Sequence, residues 1–143
     1  MGGQAWVAWA LASAAFAALT AIFAKLGLQG IDSDFATFIR TLIIVAALAL
    51  FLTYAGKWQS VQGFTVRHWV FLVLSGLATG ASWLAYFKAL QQGPASQVAP
   101  VDKLSLVLVA LLAVVFLGER PSLREWAGLG LVSAGVLLLA LPR

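Results

Sequence analysis

Five ionisable residues, Lys25, Arg40, Lys88, Asp102 and Lys103, sit within or at the edges of long apolar runs, and their places rather than any enzyme motif point to chemistry. A charge inside such a run is costly to bury, so it faces a protein interior or a watery cavity and takes a partner or a ligand there. Arg40 and Asp102 each stand several residues into a run, and a guanidinium–carboxylate pair would lower the cost of holding both. Asp102 follows Pro100 by two residues, so a helix starting at that proline would instead make its carboxylate a complement to the helix dipole. Lys25 and Lys88 are close enough to the run ends to extend their ammonium groups outward as anchors. Arg40 has no such outlet, which leaves it a substrate or gating group, or one half of a structural pair.

Other chemistries lack their parts. The chain has no cysteine and one histidine, so disulfides, thiolate metal sites and cysteine nucleophiles are excluded and no metal or cofactor is expected. No carboxylate pair, serine–histidine–aspartate set or glycine-rich phosphate loop is present, so an enzyme is not expected. His68, beside Arg67, reads as a solvated residue at a helix start. The formal charge of +4 comes from scattered Lys and Arg that form no phosphate-binding patch, so nucleic acid is not an expected partner.

The elements that must hold these charges are membrane-spanning helices. Apolar residues make up 62% of the 143 and charged ones 10%, against roughly 25% charged in an ordinary soluble domain, and mean hydropathy is +0.98. A hydrocarbon core of about 30 Å needs about 20 apolar residues per helix, which leaves room for five crossings and short loops. The spans are expected at residues 5–26, 35–54, 69–90, 98–117 and 123–141, together one all-α membrane domain over 1–143. The first run lacks a signal peptide's positive start and is too long for its apolar core, so it is read as the first span.

Punctuation supports these cuts. Gly27 and Gly30 close the first span, Asp32 or Ser33 caps the second, and Gly56 follows its end. In LGERPSLREW, Gly118 suits a C-terminal cap, Pro121 stops propagation, and Ser122 with Glu125 reads as a capping box. Residues 55–68 form the longest connector, with Lys57, Trp58 and Arg67 suited to the headgroup region. Trp6, Trp9, Trp58, Trp69 and Trp126 fall near span ends, while Trp83 lies deeper.

Two spans carry small-residue faces. In GLGLVSAGV, Gly128 and Gly135 are seven residues apart on nearly one helix face, extended by Ser133 and Ala134, and suit either a dimer seam or packing against the fourth span. The third span places Gly76 and Gly80 four apart, with Trp83 and Phe87 continuing that face and Tyr86 beside it. Such a face suits a ligand beside aromatic rings, or ordinary packing between helices. The first span is rich in alanine and reads as a packing surface.

Five crossings sort the cations by side. Lys57, Arg67, Arg120 and Arg124 fall with the N-terminus, and Lys25, Arg40, Lys88, Lys103 and Arg143 fall opposite. Near balance suits a protein inserting both ways, and cations outside the helices bias the N-terminal side toward the cytoplasm.

The segment LGERPSLREWAGLGLVSAGVLLL resembles the end of the EamA-like unit of the drug/metabolite transporter superfamily, where a GER turn precedes a glycine-spaced last helix. Arg40 near the head of the second span, YFKAL near Gly93 at the end of the third, and the count of five all fit one such unit. Typical members carry two units in inverted orientation around a central cavity. The resemblance therefore implies a half-transporter completed by a second copy or a similar partner, with an antiparallel homodimer preferred. GLGLVSAGV also resembles the last-helix dimerisation motif of the small multidrug resistance family, whose acidic first-helix residue has no counterpart here. VAPVDKLS likewise departs from the usual EamA pattern.

The expected protein is a transporter in a bilayer, placed by the resemblance in a prokaryotic plasma (inner) membrane. It would move a small metabolite, exported, by alternating access, with Arg40, Trp83, Tyr86, Asp102 and Lys103 as candidate substrate-binding residues. The cation surplus suggests an anionic or zwitterionic substrate. The alternative is a non-transporting membrane subunit that pairs with another membrane protein through its glycine faces.

Overall fold

The computed structural model describes residues 5–141, and every regular element among them is helical. The helices are α1 (Ala5–Gly27), α2 (Ser33–Ala55), α3 (Val66–Gln92), α4 (Ala95–Asp102), α5 (Ser105–Leu112) and α6 (Leu123–Ala140), with a 3-10 turn at Val61–Gly63 and a π-helical turn at Ala113–Leu117. Residues 95–117 act as one span, so five helical stretches are long and apolar enough to cross a membrane. Arg143 and the first four residues lie outside the described part.

The chain divides after Gln92 into two compact units. In the first, α3 packs against both α1 and α2. The seam follows helical periodicity: Ala21, Ala24, Lys25 and Leu28 on α1, Ser33, Thr37, Arg40, Thr41 and Ile44 on α2, and Gly80, Trp83, Tyr86, Phe87 and Leu90 on α3 are its buried or half-buried positions. Most lie toward one end of the unit, near the α1–α2 turn and the C-terminus of α3, and Val7, Ala12, Ala49 and Leu52 are half-buried toward the other. At the other end, residues 66–79 of α3 are exposed.

Local bonds explain that asymmetry. Asp32 caps α2 by accepting from the N–H groups of Asp34 and Phe35 at 3.0 and 2.9 Å. The buried hydroxyl of Thr37 returns its proton to the Ser33 carbonyl at 2.8 Å, and Thr41 does the same to Thr37, so the seam holds no unpaired hydroxyl at these two positions. Lys25, expected as an anchor reaching outward, instead donates from Nζ to the Leu90 carbonyl at 2.6 Å. That carbonyl belongs to the last turn of α3, where acceptors lack helical donors and the dipole favours a cation. Gln91 donates from Nε2 to the Ile31 carbonyl at 2.8 Å, tying the α1–α2 turn to α3. Replacing Lys25 with methionine keeps most of the stem and removes the donor, so it should cost about 1 to 2 kcal/mol. Faster amide exchange confined to the end of α3 and the α1–α2 turn is the expected signature.

α2 ends in a Schellman arrangement: Gly56 has φ +62°, its N–H donates to Thr53, and Lys57 donates to the Leu52 carbonyl. At the start of α3, the Thr65 N–H donates to His68 Nδ1 at 3.1 Å while the His68 N–H donates to Thr65 Oγ1 at 3.4 Å. This reciprocal cap occupies a histidine that the sequence placed at a helix start.

In the second unit α6 packs against α4 and α5. Leu129, Ser133 and Val136 form its inward side, and Ser133 donates to the Leu129 carbonyl at 2.7 Å. The Ser122–Glu125 capping box is present, and Gly118 closes the π-turn with φ +68°. The fourth span begins at Ala95, three residues before the expected start, and is interrupted. Pro100 lies inside α4 and removes a backbone donor, and the following bonds skip only three residues: Lys103 to Pro100, Leu104 to Val101, Leu106 to Lys103 and Val107 to Leu104.

Candidate functional site

Arg40 projects from the α2 seam, and two rings of α3 determine its place. Its guanidinium carbon lies 4.3 Å from the centroid of Trp83 and 4.8 Å from that of Phe87. Residues 83 and 87 are four apart, so their side chains share one helix face and form a continuous aromatic wall. A cation against two ring faces is stabilised by their negative π surfaces, most strongly where water is thin. A guanidinium carries five N–H donors in a planar fork. One of them, at Nη1, is buried without an acceptor among the described residues.

The same arginine lines a cavity of about 400 Å³ between α1 and α2. α1 contributes Phe23 and Leu28, α2 contributes Ile39 and Ile43, and Phe87 of α3 reaches it from behind. The cavity exists because α3 holds both neighbours while α1 and α2 make little direct contact. Apart from Arg40 and Thr20 its side chains are apolar. A permanent cation in such an apolar wall is suited to an anion, which would balance its charge.

The candidates from sequence separate into two groups. Arg40 and Trp83 come together, and Tyr86 stands beside Phe87 with ring centroids 6.4 Å apart. Asp102 and Lys103 belong to the second unit, where Lys103 Nζ donates to Asp102 Oδ2 at 3.1 Å. Within the first unit Arg40 lies against rings, and within the second Asp102 takes its chain neighbour. The dipole reading of Asp102 also changes, because Asp102 ends α4 rather than beginning a helix. Gly80 falls at the α3 seam, while Gly76, Gly128 and Gly135 are exposed, and a Cβ at any of these four would meet no atom within 4 Å. Phe87, which the sequence places on the Trp83 face suited to a ligand, lines the cavity, and the α1 wall was not among the candidate site residues. The i, i+4 relation to Trp83 identifies Phe87, whereas alanine-rich α1 gives Phe23 no polar companion that would mark a site.

Five helices long and apolar enough to cross a bilayer define an integral membrane protein, and its first unit holds a cation against two aromatic rings. The profile of the EamA-like transporter family matches residues 4–141, and the chain belongs to that family. It is 57% identical over 137 residues to a Sinorhizobium sp. protein named as an uncharacterized transporter in the cobO 3'region, covering 96% of this chain and 97% of that one. It is also similar to the probable 4-amino-4-deoxy-L-arabinose-phosphoundecaprenol flippase subunit ArnE of Hamiltonella defensa, at 30% identity over 67% of this chain and 93% of the relative. The ArnE of Yersinia pestis is 35% identical over 48% of this chain and 60% of its own length. No solved structure matches the chain. These likenesses identify a membrane transporter of the EamA-like family.

Proposed function

We propose that this chain exports a small anionic or zwitterionic metabolite as a dimer of five-helix units, by alternating exposure of a shared cavity. The observation that carries the reading is the Arg40 guanidinium, held on Trp83 and Phe87 at a cavity wall with Nη1 unpaired. Arg40 contacts the substrate, with Trp83 and Tyr86 beside it. Asp102 and Lys103, at the break in the fourth span, are candidate substrate contacts of the second unit by itself. Broken helices are common where transporters bind substrate and ions, because unwound backbone exposes hydrogen-bonding groups there.

The dimer reading rests on α6. Its inward side is taken by Leu129, Ser133 and Val136, and the Gly128–Gly135 face remains open for close approach of another helix. Both units of the chain compose one transport domain, and an inverted second copy supplies the other half. Bacterial relatives support a plasma-membrane location. A second reading, a subunit that pairs with a different membrane protein, draws support from the relatives named as flippase subunits.

Orientation separates these assemblies. The chain has no cysteine, so Ser60→Cys in the exposed α2–α3 connector creates a single reporter. An antiparallel homodimer should label at about half its molecules with an impermeant thiol reagent in intact cells, as closed two-fold pairing of inverted copies requires. Labelling of all or none defeats that assembly. Recovery of one different membrane protein at fixed stoichiometry supports the second reading.

A further inference from the structure

We infer that the α2–α3 connector and the start of α3 form a second binding site, which holds the phosphate of an anionic phospholipid as a fixed neighbour of the protein rather than as cargo. The site is separate from the Arg40 cavity, because Arg67 and Trp83 stand about 24 Å apart along α3. A cavity of about 680 Å³ opens here, lined by Gln59, Phe64, Arg67, His68, Phe71 and Leu72. Its polar members are a carboxamide, a guanidinium and an imidazole, all on exposed residues. Residues 56–72 hold no Asp or Glu, and Arg67 makes no ion pair among the described residues.

Helical spacing sets two chemistries side by side. Residues 67 and 71 are four apart, as are 68 and 72, so each polar side chain of the first turn neighbours an apolar one of the next. The guanidinium carbon of Arg67 lies 5.9 Å from the Phe71 ring centroid. The connector supplies the rest of the wall. Trp58 donates from Nε1 to Thr53 Oγ1 at 3.0 Å, which fixes the chain just before Gln59, and Phe64 packs edge-on against His68 with ring centroids 5.8 Å apart. Because His68 Nδ1 accepts the Thr65 N–H, a neutral imidazole carries its proton on Nε2 and has a donor to offer.

The level of the site names the source of the phosphate. α3 has 27 residues, about 40 Å of helix against a hydrocarbon core of about 30 Å, so its ends reach the headgroup layer. Arg67 and His68 belong to the first turn. Phe71 and Leu72, one turn deeper, are 59% and 57% exposed and are left uncovered by their own unit. A phospholipid has the same order, with its phosphate outside and its acyl chains inside, whereas a free phosphate would leave the apolar turn bare. Charge selects the headgroup. A choline or ethanolamine would bring an ammonium to a stretch that already carries Lys57 and Arg67 and no carboxylate, while a glycerol headgroup brings only the negative phosphate, the group a guanidinium pairs with most strongly.

His68 is the chain's one histidine, so isotope-labelled histidine gives a single imidazole resonance from within the site. Titration of the full-length protein in detergent with phosphatidylglycerol should shift that resonance saturably, and phosphatidylethanolamine of equal chains should bind at least about tenfold more weakly. Arg67→Gln should weaken the phosphatidylglycerol titration about tenfold and Arg67→Lys much less, at constant helix content. Arg124→Gln, at an exposed arginine of α6 that does not line the cavity, should leave it unchanged. Equal titrations by the two lipids, or a response indifferent to Arg67→Gln, would identify ordinary lipid contact and overturn the inference. Glycerol phosphate as effective as phosphatidylglycerol would make this a site for free phosphate and overturn it as well. The comparison of the two lipids uses the wild type alone, so it decides the matter even if a variant fails to fold.

Discussion

Arg40→Ala is expected to lower affinity for anionic substrate by about 10- to 100-fold, the range that a lost charge-assisted hydrogen bond provides. Assembly and helix content should be unchanged. Arg40 makes no ion pair with a carboxylate among the described residues, so its removal leaves no opposite charge stranded in the seam. What it leaves is a gap beside two rings and one fewer cation to keep at depth, effects of opposite sign on stability. Arg40→Lys should recover little binding, because an ammonium keeps the charge but not the planar fork of five donors. Binding isotherms of an anionic ligand to wild type and both variants in detergent measure this directly. Equal affinities in wild type and Arg40→Ala would remove Arg40 from the site.

Phe87→Ala should have the second largest effect, because this ring serves the seam and the site together. Phe87 is 2% exposed, lies under the guanidinium at 4.8 Å and lines the cavity. In a water-soluble core such a truncation costs about 3 to 5 kcal/mol, including the transfer of apolar surface from water. Here lipid is as apolar as the ring, so the transfer contribution largely cancels and the lost packing remains, on the order of 1 to 3 kcal/mol. Anion affinity should fall with it, since Arg40 loses one of two surfaces that fix its orientation. Phe87→Leu restores volume without a π face, so it should recover most of the stability and less of the affinity. Unfolding transitions and anion binding on the same samples separate the two consequences, and parallel recovery of both by leucine would remove the cation–π contact from the account.

Much of this arrangement is legible in the sequence because it follows from local rules. Five spans follow from apolar run length, and their ends follow from Asp32, Gly56, Gly118 and Ser122, residues that satisfy backbone groups within a few positions of themselves. The meeting of Arg40 with Trp83 is half legible: each stands out in its span as the deep cation or the deep indole, but only packing of α2 on α3 brings them together. The partner of Lys25 is a backbone carbonyl, which no side-chain pattern reports. Similarly, Asp102 takes adjacent Lys103, a pairing decided by the 3-10 stretch after Pro100 rather than by the depth of either residue. The apolar cleft was hidden for a different reason. Its residues look like every other lipid-facing residue until the spacing of α1 from α2 makes them the walls of a cavity.

Flux through liposomes containing this chain as their sole protein is the most direct measurement. The account predicts saturable movement of an anionic substrate by the wild type, reduced at least about tenfold by Arg40→Ala at equal protein incorporation. Equal flux by the two proteins would contradict the placement of the site at Arg40, and absence of flux from the wild type until a different membrane protein is added would contradict transport by this chain alone.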